Sequence, residues 1–296
     1  MELRVLNYFL AAAREENITK AAQLLHVTQP TLSRQIIQLE KELDVKLFVR
    51  SNHNIILTDD GMLLKRRAEE IVALAEKTKG EFSRRDEHLT GEITIGSGEL
   101  LSMRLLSEIL SSFQKKYPLI RYELYSGDAD NVKAHIESGL LDAGLLLKPV
   151  DIGKYEFIRM PLKEEWGILT HKDSYLAAKE HISPEDLVGV PLLIAKRGLV
   201  QNTLANWFGS HFERLEIVAT YNLLYNAAIM AQNKMGVALC LKLSSTYDEL
   251  CYVPLSPELK MGSVFVWKKN QIFPPATAAF LEHIKAYAKG ISRDLI

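Results

Sequence analysis

Ile18-Thr19-Lys20-Ala21-Ala22-Gln23-Leu24-Leu25-His26-Val27-Thr28-Gln29-Pro30-Thr31-Leu32-Ser33-Arg34-Gln35-Ile36 packs two candidate capping threonines, a proline and two apolar stripes into 19 residues. Its spacing predicts two helices joined by a three-residue connection. Thr19 is the expected N-cap of a short helix over 20–25, because a short hydroxyl side chain can accept one of the free N–H groups of a first turn. His26-Val27-Thr28 is the connection. Thr28 then caps a longer helix whose first turn holds Pro30, where a missing N–H breaks no hydrogen bond. That helix turns Leu32, Ile36, Leu39 and Leu43 to one side and Ser33, Arg34, Gln35 and Gln38 elsewhere. Upstream, Leu3, Leu6, Phe9, Leu10 and Ala13 recur at helical spacing. Helix, short helix, tight turn and polar-faced helix together make a helix-turn-helix.

Working outward, Leu47-Phe48-Val49-Arg50 and Ile55-Ile56-Leu57-Thr58 are two β-prone runs flanking the turn-rich Ser51-Asn52-His53-Asn54, a small hairpin of the kind called a wing. Thr58 is the expected cap of a long helix over 59–87, with Asp59 and Asp60 in its first turn. At a rise of about 1.5 Å per residue that helix spans about 43 Å. Leu64, Ala68, Ile71, Ala75, Thr78 and Phe82 follow one another at spacings of 4, 3, 4, 3 and 4, a heptad stripe. Leu64, Ala68, Ile71, Ala75 and Phe82 are therefore expected to meet a partner helix in a homodimer. The other reading is that the stripe packs on its own domain.

Beyond Thr90-Gly91 the pattern changes. Short β-like runs at 93–96, 120–125, 142–147, 157–161, 166–170, 192–195, 237–241 and 264–267 alternate with helical ones at 100–117, 131–138, 205–212, 223–233 and 275–289. That alternation implies an α/β domain with a mainly parallel sheet. The returning strand near 264 and the closing helix suggest two lobes with the chain crossing back. The expected organisation is an all-α winged helix-turn-helix domain over 1–58, a linker and dimerisation helix over 59–90, and a two-lobed α/β domain over 91–296. In the last, one lobe takes 91–161 and 267–296, the other 162–266.

The 296 residues carry 36 Lys plus Arg against 37 Asp plus Glu, with 47% hydrophobic and 25% charged residues, values of an ordinary globular chain. Cys240 and Cys251 stand in apolar surroundings, with no CxxC pair and no Cys/His cluster. Neither a zinc site nor a disulfide framework is indicated, and two buried small hydrophobes outweigh a redox sensor as the reading. The N-terminus lacks the pattern of a signal peptide, and no apolar run approaches the roughly 18 residues of a membrane span. A cytoplasmic protein without membrane contact is expected, with no metal and no cofactor.

Phe9, the whole stretch from Ile18 to Ile36, Leu39-Glu40, Leu43, Leu47-Phe48, Arg50 and Leu57-Thr58-Asp59-Asp60-Gly61 resemble the LysR-type transcriptional regulators. The likeness continues more loosely in Gly91-Glu92-Ile93-Thr94-Ile95-Gly96, Phe113 with Tyr117-Pro118, Gly139-Leu140-Leu141-Asp142-Ala143-Gly144 and Met235-Gly236-Val237-Ala238. The resemblance implies a sequence-specific regulator of the bacterial type. It would bind double-stranded operator DNA and answer to a small-molecule effector held between two lobes like those of periplasmic binding proteins. It also implies a homodimer, in many relatives a tetramer of paired dimers, and RNA polymerase as a further partner.

A helix entering the major groove needs short polar donors near its N-terminus. Gln29, Thr31, Ser33 and Arg34 meet that need, and the resemblance places Gln29, Pro30, Ser33 and Arg34 at DNA-contacting positions. Arg34 is suited to guanine or phosphate, Gln29 to adenine, Thr31 and Ser33 to phosphate, and Pro30 to a thymine methyl. Lys20 is a phosphate partner or a solvated lysine. Arg50, Asn52 and His53 are the wing's contacts, with His53 standing where relatives commonly carry arginine.

Clefts in doubly wound lobes lie at the carboxyl ends of strands. That rule selects Ser97, Gly98, Glu99 and Ser102, then Asp128, then Lys196 and Arg197, then Asn222 as effector contacts, each also readable as a loop or capping residue. Glu99 and Asp128 argue against a simple anion unless Lys196 and Arg197 compensate; the other reading is a zwitterionic or amine-bearing effector. Gly96-Ser97-Gly98-Glu99-Leu100-Leu101 starts like a dinucleotide fingerprint, but Leu101 stands where a small residue is needed. No nucleophile elbow, HExxH or P-loop occurs. The alternatives to a regulator are an α/β metabolic enzyme with an appended helix-turn-helix and an effector-independent DNA-bending protein.

Overall fold

The computed structural model describes residues 1–50, 55–82, 89–243 and 247–294, and the chain divides into two compact units, Met1–Arg85 and Asp86–Ile296. In the first, α1 (Leu3–Glu15), α2 (Ile18–Leu24) and α3 (Gln29–Leu43) close around Leu6, Phe9, Ala12, Ala21, Leu32, Ile36 and Leu39. Thr28 caps α3 as expected, but α2 starts earlier than the threonine reading: Asn17, not Thr19, is its cap, accepting the Lys20 N–H at 3.0 Å. Leu43, expected inside, is exposed. It is the last residue of α3, the chain leaves through Asp44 in the left-handed region (φ 55°), and Leu47 supplies the next buried side chain.

The strands β1 (Phe48–Arg50) and β2 (Ile55–Leu57) pair antiparallel, Phe48 opposite Leu57, as the wing reading requires. Glu40 ties this hairpin to α3: its buried carboxylate accepts the N–H groups of Leu47 at 2.9 Å and Phe48 at 3.4 Å. Next, α4 (Asp59–Phe82) is capped by Thr58, whose hydroxyl oxygen accepts the Gly61 N–H at 3.0 Å. A Cβ on Gly61 would lie 2.2 Å from the Leu47 carbonyl oxygen, so this position takes nothing larger than glycine. The 24 residues of α4 span about 36 Å.

The second unit runs β3 (Gly91–Ser97), α5 (Met103–Lys116), β4 (Ile120–Ser126), α6 (Ala129–Glu137), β5 (Ala143–Leu147), β6 (Tyr155–His171), β7 (Pro191–Ala195), α7 (Gly198–Phe208), β8 (Glu216–Tyr221), α8 (Leu224–Gln232), β9 (Val237–Leu241), β10 (Leu250–Pro254), β11 (Lys260–Lys268) and α9 (Pro275–Asp294). Strand order is β4-β3-β5-β11-β6-β9-β7-β8, with β10 on the free side of β6. The pairs β3–β4, β3–β5, β7–β8 and β7–β9 are parallel; those made by β6 and β11 are antiparallel. One lobe holds β3, β4, β5 and β11 around Ile93, Ile95, Phe113, Phe265 and Phe280; the other holds β7, β8, β9 and β10 around Trp166, Leu192, Ile194 and Phe208.

The strand β6 joins them. Where sequence spacing suggested separate strands at 157–161 and 166–170, the chain forms a single 17-residue strand whose first part pairs with β11 and whose last part pairs with β9 and β10. Ser263 to Trp267 of β11 already pair with β5, so the return into the first lobe lies a few residues before the boundary drawn at 267. Two further differences are local. The helix placed at 205–212 begins at Gly198 and ends in a 3-10 turn over Gly209–Arg214, and β8 and β10 were not anticipated.

Candidate functional site

On α3 the predicted recognition residues divide cleanly. Gln29, Pro30, Thr31 and Arg34 are exposed and Ser33 is half-buried, while Leu32 and Ile36 on the other side are wholly buried. The Thr31 hydroxyl lies 2.7 Å from that of Thr28, which fixes it beside the helix start. Lys20 is exposed in the first turn of α2. This is a polar, solvent-facing helix start with a short side chain at nearly every position, on a face the core leaves open. Asn52, His53 and the side chain of Arg50 lie outside the described residues.

Along α4 the heptad stripe does two jobs. Ala68 is wholly buried in its own unit, and Leu64 with Val72 packs on the same core. Ile71 is exposed, as are Leu63 and Leu74, while Ala75 is half-buried. The apolar surface left open thus lies partly off the a/d positions, and the reading in which the stripe packs on its own domain holds for Leu64 and Ala68. The Phe82 side chain lies outside the described residues.

A cleft open to solvent lies between the lobes of the second unit, concave and walled mostly by apolar side chains as small-ligand sites are. It opens at the carboxyl ends of β3, β4, β5, β7 and β8, as the topology of parallel lobes requires. Of the residues selected from sequence, Gly98, Glu99, Asp128, Lys196, Arg197 and Asn222 line it. Ser97 and Ser102 do not. The Ser97 hydroxyl donates to the Gly98 carbonyl at 2.7 Å. Ser102 is fully buried, donating to Glu164 at 2.6 Å and lying 2.7 Å from the Ser263 hydroxyl.

Arg197 is the central polar residue. Its side chain is only 4% exposed; Nε donates to Asp130 at 3.2 Å and Nη1 to the Leu147 carbonyl at 3.1 Å, both in the opposite lobe. In the reverse direction the Glu99 carboxylate accepts the Leu224 N–H at the start of α8. The two lobes are thus tied across the cleft by one side chain from each. Asp128 caps α6, accepting the Asp130 and Asn131 N–H groups, each at 2.9 Å.

Sequence reasoning missed the apolar wall: Leu100, Leu145, Leu147, Trp166, Val200, Leu224 and Leu241, joined by Tyr221. Tyr221 donates to the Leu239 carbonyl at 2.7 Å, and burial pushes its hydroxyl pKa well up, so it stays protonated. It also missed Glu164, a fully buried carboxylate that accepts the Leu101 and Ser102 N–H groups ahead of α5. A lone acid at an inward position of a strand was the available signal. Among the described residues no group of three His, Cys, Asp or Glu is placed to hold a metal ion, and no helix is long and apolar enough to cross a membrane.

Cys240 is buried and burial pushes its thiol well up; Cys251 is half-buried and pushed up for the same reason, against a lowering influence of Lys172. They sit opposite Gly167 and Thr170 on the two sides of β6. Two strand spacings across β6 and three residues along it put them about 14 Å apart, beyond the roughly 7 Å a disulfide tolerates.

Residues 86–289 match the LysR substrate binding domain, and residues 3–62 match the bacterial regulatory helix-turn-helix protein of the lysR family. The hydrogen peroxide-inducible genes activator of Pectobacterium carotovorum subsp. carotovorum is 26% identical over 307 residues, covering 99% of this chain and all of the relative. The DNA-binding transcriptional dual regulator OxyR of Escherichia coli (strain K12) is 31% identical over 199 residues, covering 67% of this chain and 65% of its own length. Among solved structures, the fold is shared with CbnR, a LysR family transcriptional regulator, at a TM-score of 0.75 and 21% identity over 97% of this chain and 99% of that one. The same holds for full-length CbnR complexed with its target DNA, at a TM-score of 0.73 and 22% identity over the same shares of the two chains. With both of its units matched, one to the DNA-binding half and the other to the effector-binding half, this chain belongs to the LysR family of DNA-binding transcriptional regulators.

Proposed function

We propose that the chain acts in the cytoplasm as a homodimer that reads a two-fold symmetric operator through Gln29, Pro30, Thr31, Ser33 and Arg34, with Lys20 on phosphate. The observation that carries this reading is the division of α3 into a wholly buried apolar face and an open polar helix start. Such a start fits the major groove, and Arg34 and Gln29 have the donor patterns for guanine and adenine edges. The wing residues Arg50, Asn52 and His53 join them, and α4 carries the contacts between protomers. An effector bound in the interlobe cleft would change the bonds that Arg197 and Glu99 make across it, and with them the angle between the lobes. Glu99, Asp128, Lys196, Arg197 and Asn222 are its polar contacts; the chain performs no chemistry on the effector.

The peroxide-responsive relatives suggest a second reading, in which the signal is oxidation of a thiol. It is disfavoured here. A sensor thiol has to be exposed and low in pKa; Cys240 is buried, Cys251 is half-buried, and burial raises both thiols.

Selection from random duplex DNA with the full chain tests the main reading. The expected product is an imperfect palindrome with half-sites about 34 Å apart, one helical turn. On that product Arg34→Ala should weaken binding by more than about 1 kcal/mol and relax one base position. Recovery of no common sequence, or unchanged affinity and specificity of the variant, would overturn it.

A further inference from the structure

Two buried donors in the cleft wall have no partner. Trp166 Nε1 and Arg197 Nη2 belong to residues 2% and 6% exposed, both line the cleft, and neither atom meets a hydrogen-bond acceptor. A buried donor left unpaired is costly, more so where it is charged. Among the described residues the cleft wall has no buried side-chain acceptor in the same condition. The unmet demand is one-sided: the cleft has hydrogens to give.

Glu99 and Asp128, the acids that suggested a zwitterionic or amine-bearing effector, are already engaged, as is Glu164. Glu164 accepts the Leu101 and Ser102 N–H groups ahead of α5, Asp128 caps α6, and Glu99 sits on the Leu224 N–H at the start of α8. Three of the four helix starts around the cleft are thus satisfied by the chain's own carboxylates. The fourth, α7, has no side-chain cap, and its N-cap residue is Arg197. The uncapped start of α7, a guanidinium with an unpaired N–H and a buried indole N–H thus all belong to residues that line this one cleft, whose wall also holds Leu100, Leu145, Leu147, Val200 and Leu241.

We propose that the effector is a small monocarboxylate with a compact apolar body, its carboxylate held by Arg197 Nη2 and Trp166 Nε1 beside the start of α7. This rests on the cleft being the effector site and names the class of molecule it takes. The body fills the space between Leu100, Leu145, Leu147, Val200 and Leu241. An ammonium head would leave both donors unpaired and add further donors against them. Loading the carboxylate completes the partners of Arg197, the residue that already holds Asp130 and the Leu147 carbonyl of the opposite lobe.

The indole N–H resonances of the full-length protein report on this directly, since its three tryptophans are Trp166, Trp207 and Trp267 and Trp166→Phe identifies the one in the cleft. The probes are two matched sets of equal body: phenylacetate, phenylacetamide and phenethylamine, then isovalerate, isovaleramide and isoamylamine, each at millimolar concentration. The carboxylates should shift the Trp166 resonance saturably, the amides more weakly and the amines not at all. Arg197→Gln should weaken carboxylate binding about tenfold or more, as loss of a charge-assisted hydrogen bond would. Trp166→Phe keeps the ring and removes only the donor; read by calorimetry, it should weaken the carboxylates several-fold and leave the amines unchanged. Amines binding as well as carboxylates, or carboxylate affinity unchanged in Trp166→Phe, would overturn the class while leaving the cleft as the effector site. If no probe moves the Trp166 resonance, the class and the cleft reading fall together.

Discussion

Val132 of α6 lies on two glycines at once, and that contact sets how closely a helix approaches the sheet. Gly96 and Gly144 face each other in the β3–β5 pairing, and a Cβ on either would come within 2.5 Å of a Val132 methyl. A side chain at either glycine would push α6 outward, and with it Asp128, the cap that borders the cleft. Gly144→Ala is therefore expected to destabilise the second unit by about 1–3 kcal/mol, as overpacking in a dense core does. Val132→Ala makes room, so the double variant should lose about 1 kcal/mol less than the two single losses added. All three tryptophans lie in the second unit, so urea unfolding followed by tryptophan fluorescence isolates its response. Strict additivity would show that the helix adjusts without the contact.

At the scale of the element, α4 and α9 each combine a packing role with a second one. In α4, Ala68 is wholly buried while Leu63 and Leu74 are 54% and 39% exposed. A charge at Ala68 would be buried without a partner, so Ala68→Glu should unfold the first unit. Leu63→Glu with Leu74→Glu should leave helicity intact and raise the dimer dissociation constant by about tenfold or more, which sedimentation equilibrium reads. A dimer unaffected by the pair would move the protomer contact off this face. In α9, His283 lies 2.7 Å from the Ser112 hydroxyl and against the Phe113 ring of α5. Burial, with Lys116 nearby, lowers its pKa below the ordinary histidine range. The unfolded chain then binds the proton at higher pH than the folded one. The stability His283 contributes is present above about 6.5 and lost as pH falls through the depressed value. Urea midpoints taken from about pH 7 down to about pH 5 should fall, and His283→Gln should flatten the decline.

These elements also show what a sequence can disclose. The helix-turn-helix was legible because its determinants are local: caps, a proline in the first turn and a 3.6-residue stripe, with error where Asn17 and Thr19 compete two residues apart and at Leu43, where the helix ends. The cleft was legible as loops after strands, which found Glu99, Asp128, Lys196, Arg197 and Asn222. Ser102 was misread, and Glu164 and Trp166 were overlooked, for one reason. Their roles are settled by partners far along the chain, Glu164 meeting Ser102 across 62 residues, and inward apolar residues of a cleft share the pattern of a core. The start of α7 carried its own signal, since Val200, Leu204 and Phe208 recur every four residues, but Gly198 reads as a loop residue.

Across the whole molecule, charge constrains how DNA is held. The chain is at net −1, and residues 1–57 hold seven Lys and Arg against six Asp and Glu. Glu40 among the acids faces backbone N–H groups inside the fold. No basic field spreads over the first unit, so affinity has to come from a few placed groups, doubled by pairing two protomers. Lys20, Arg34 and Arg50 from each of two protomers would neutralise at most six phosphates. Counterion release then sets the slope of log K against log salt at no steeper than about −5. Fluorescence anisotropy with the selected operator across a salt series measures it. Lys20→Ala should reduce the slope by about two per dimer, uniformly across operator variants, whereas Arg34→Ala should also relax base preference. A slope much steeper than −5 would mean that cations besides these three reach the DNA. The extra cations would then be Arg4, Arg14, Lys41 and Lys46 of the same segment or the basic residues of α4, Lys65, Arg66 and Arg67 foremost. Charge reversal at those three α4 positions would then separate an extended electrostatic contact from the compact one argued here, in which their loss leaves the slope unchanged.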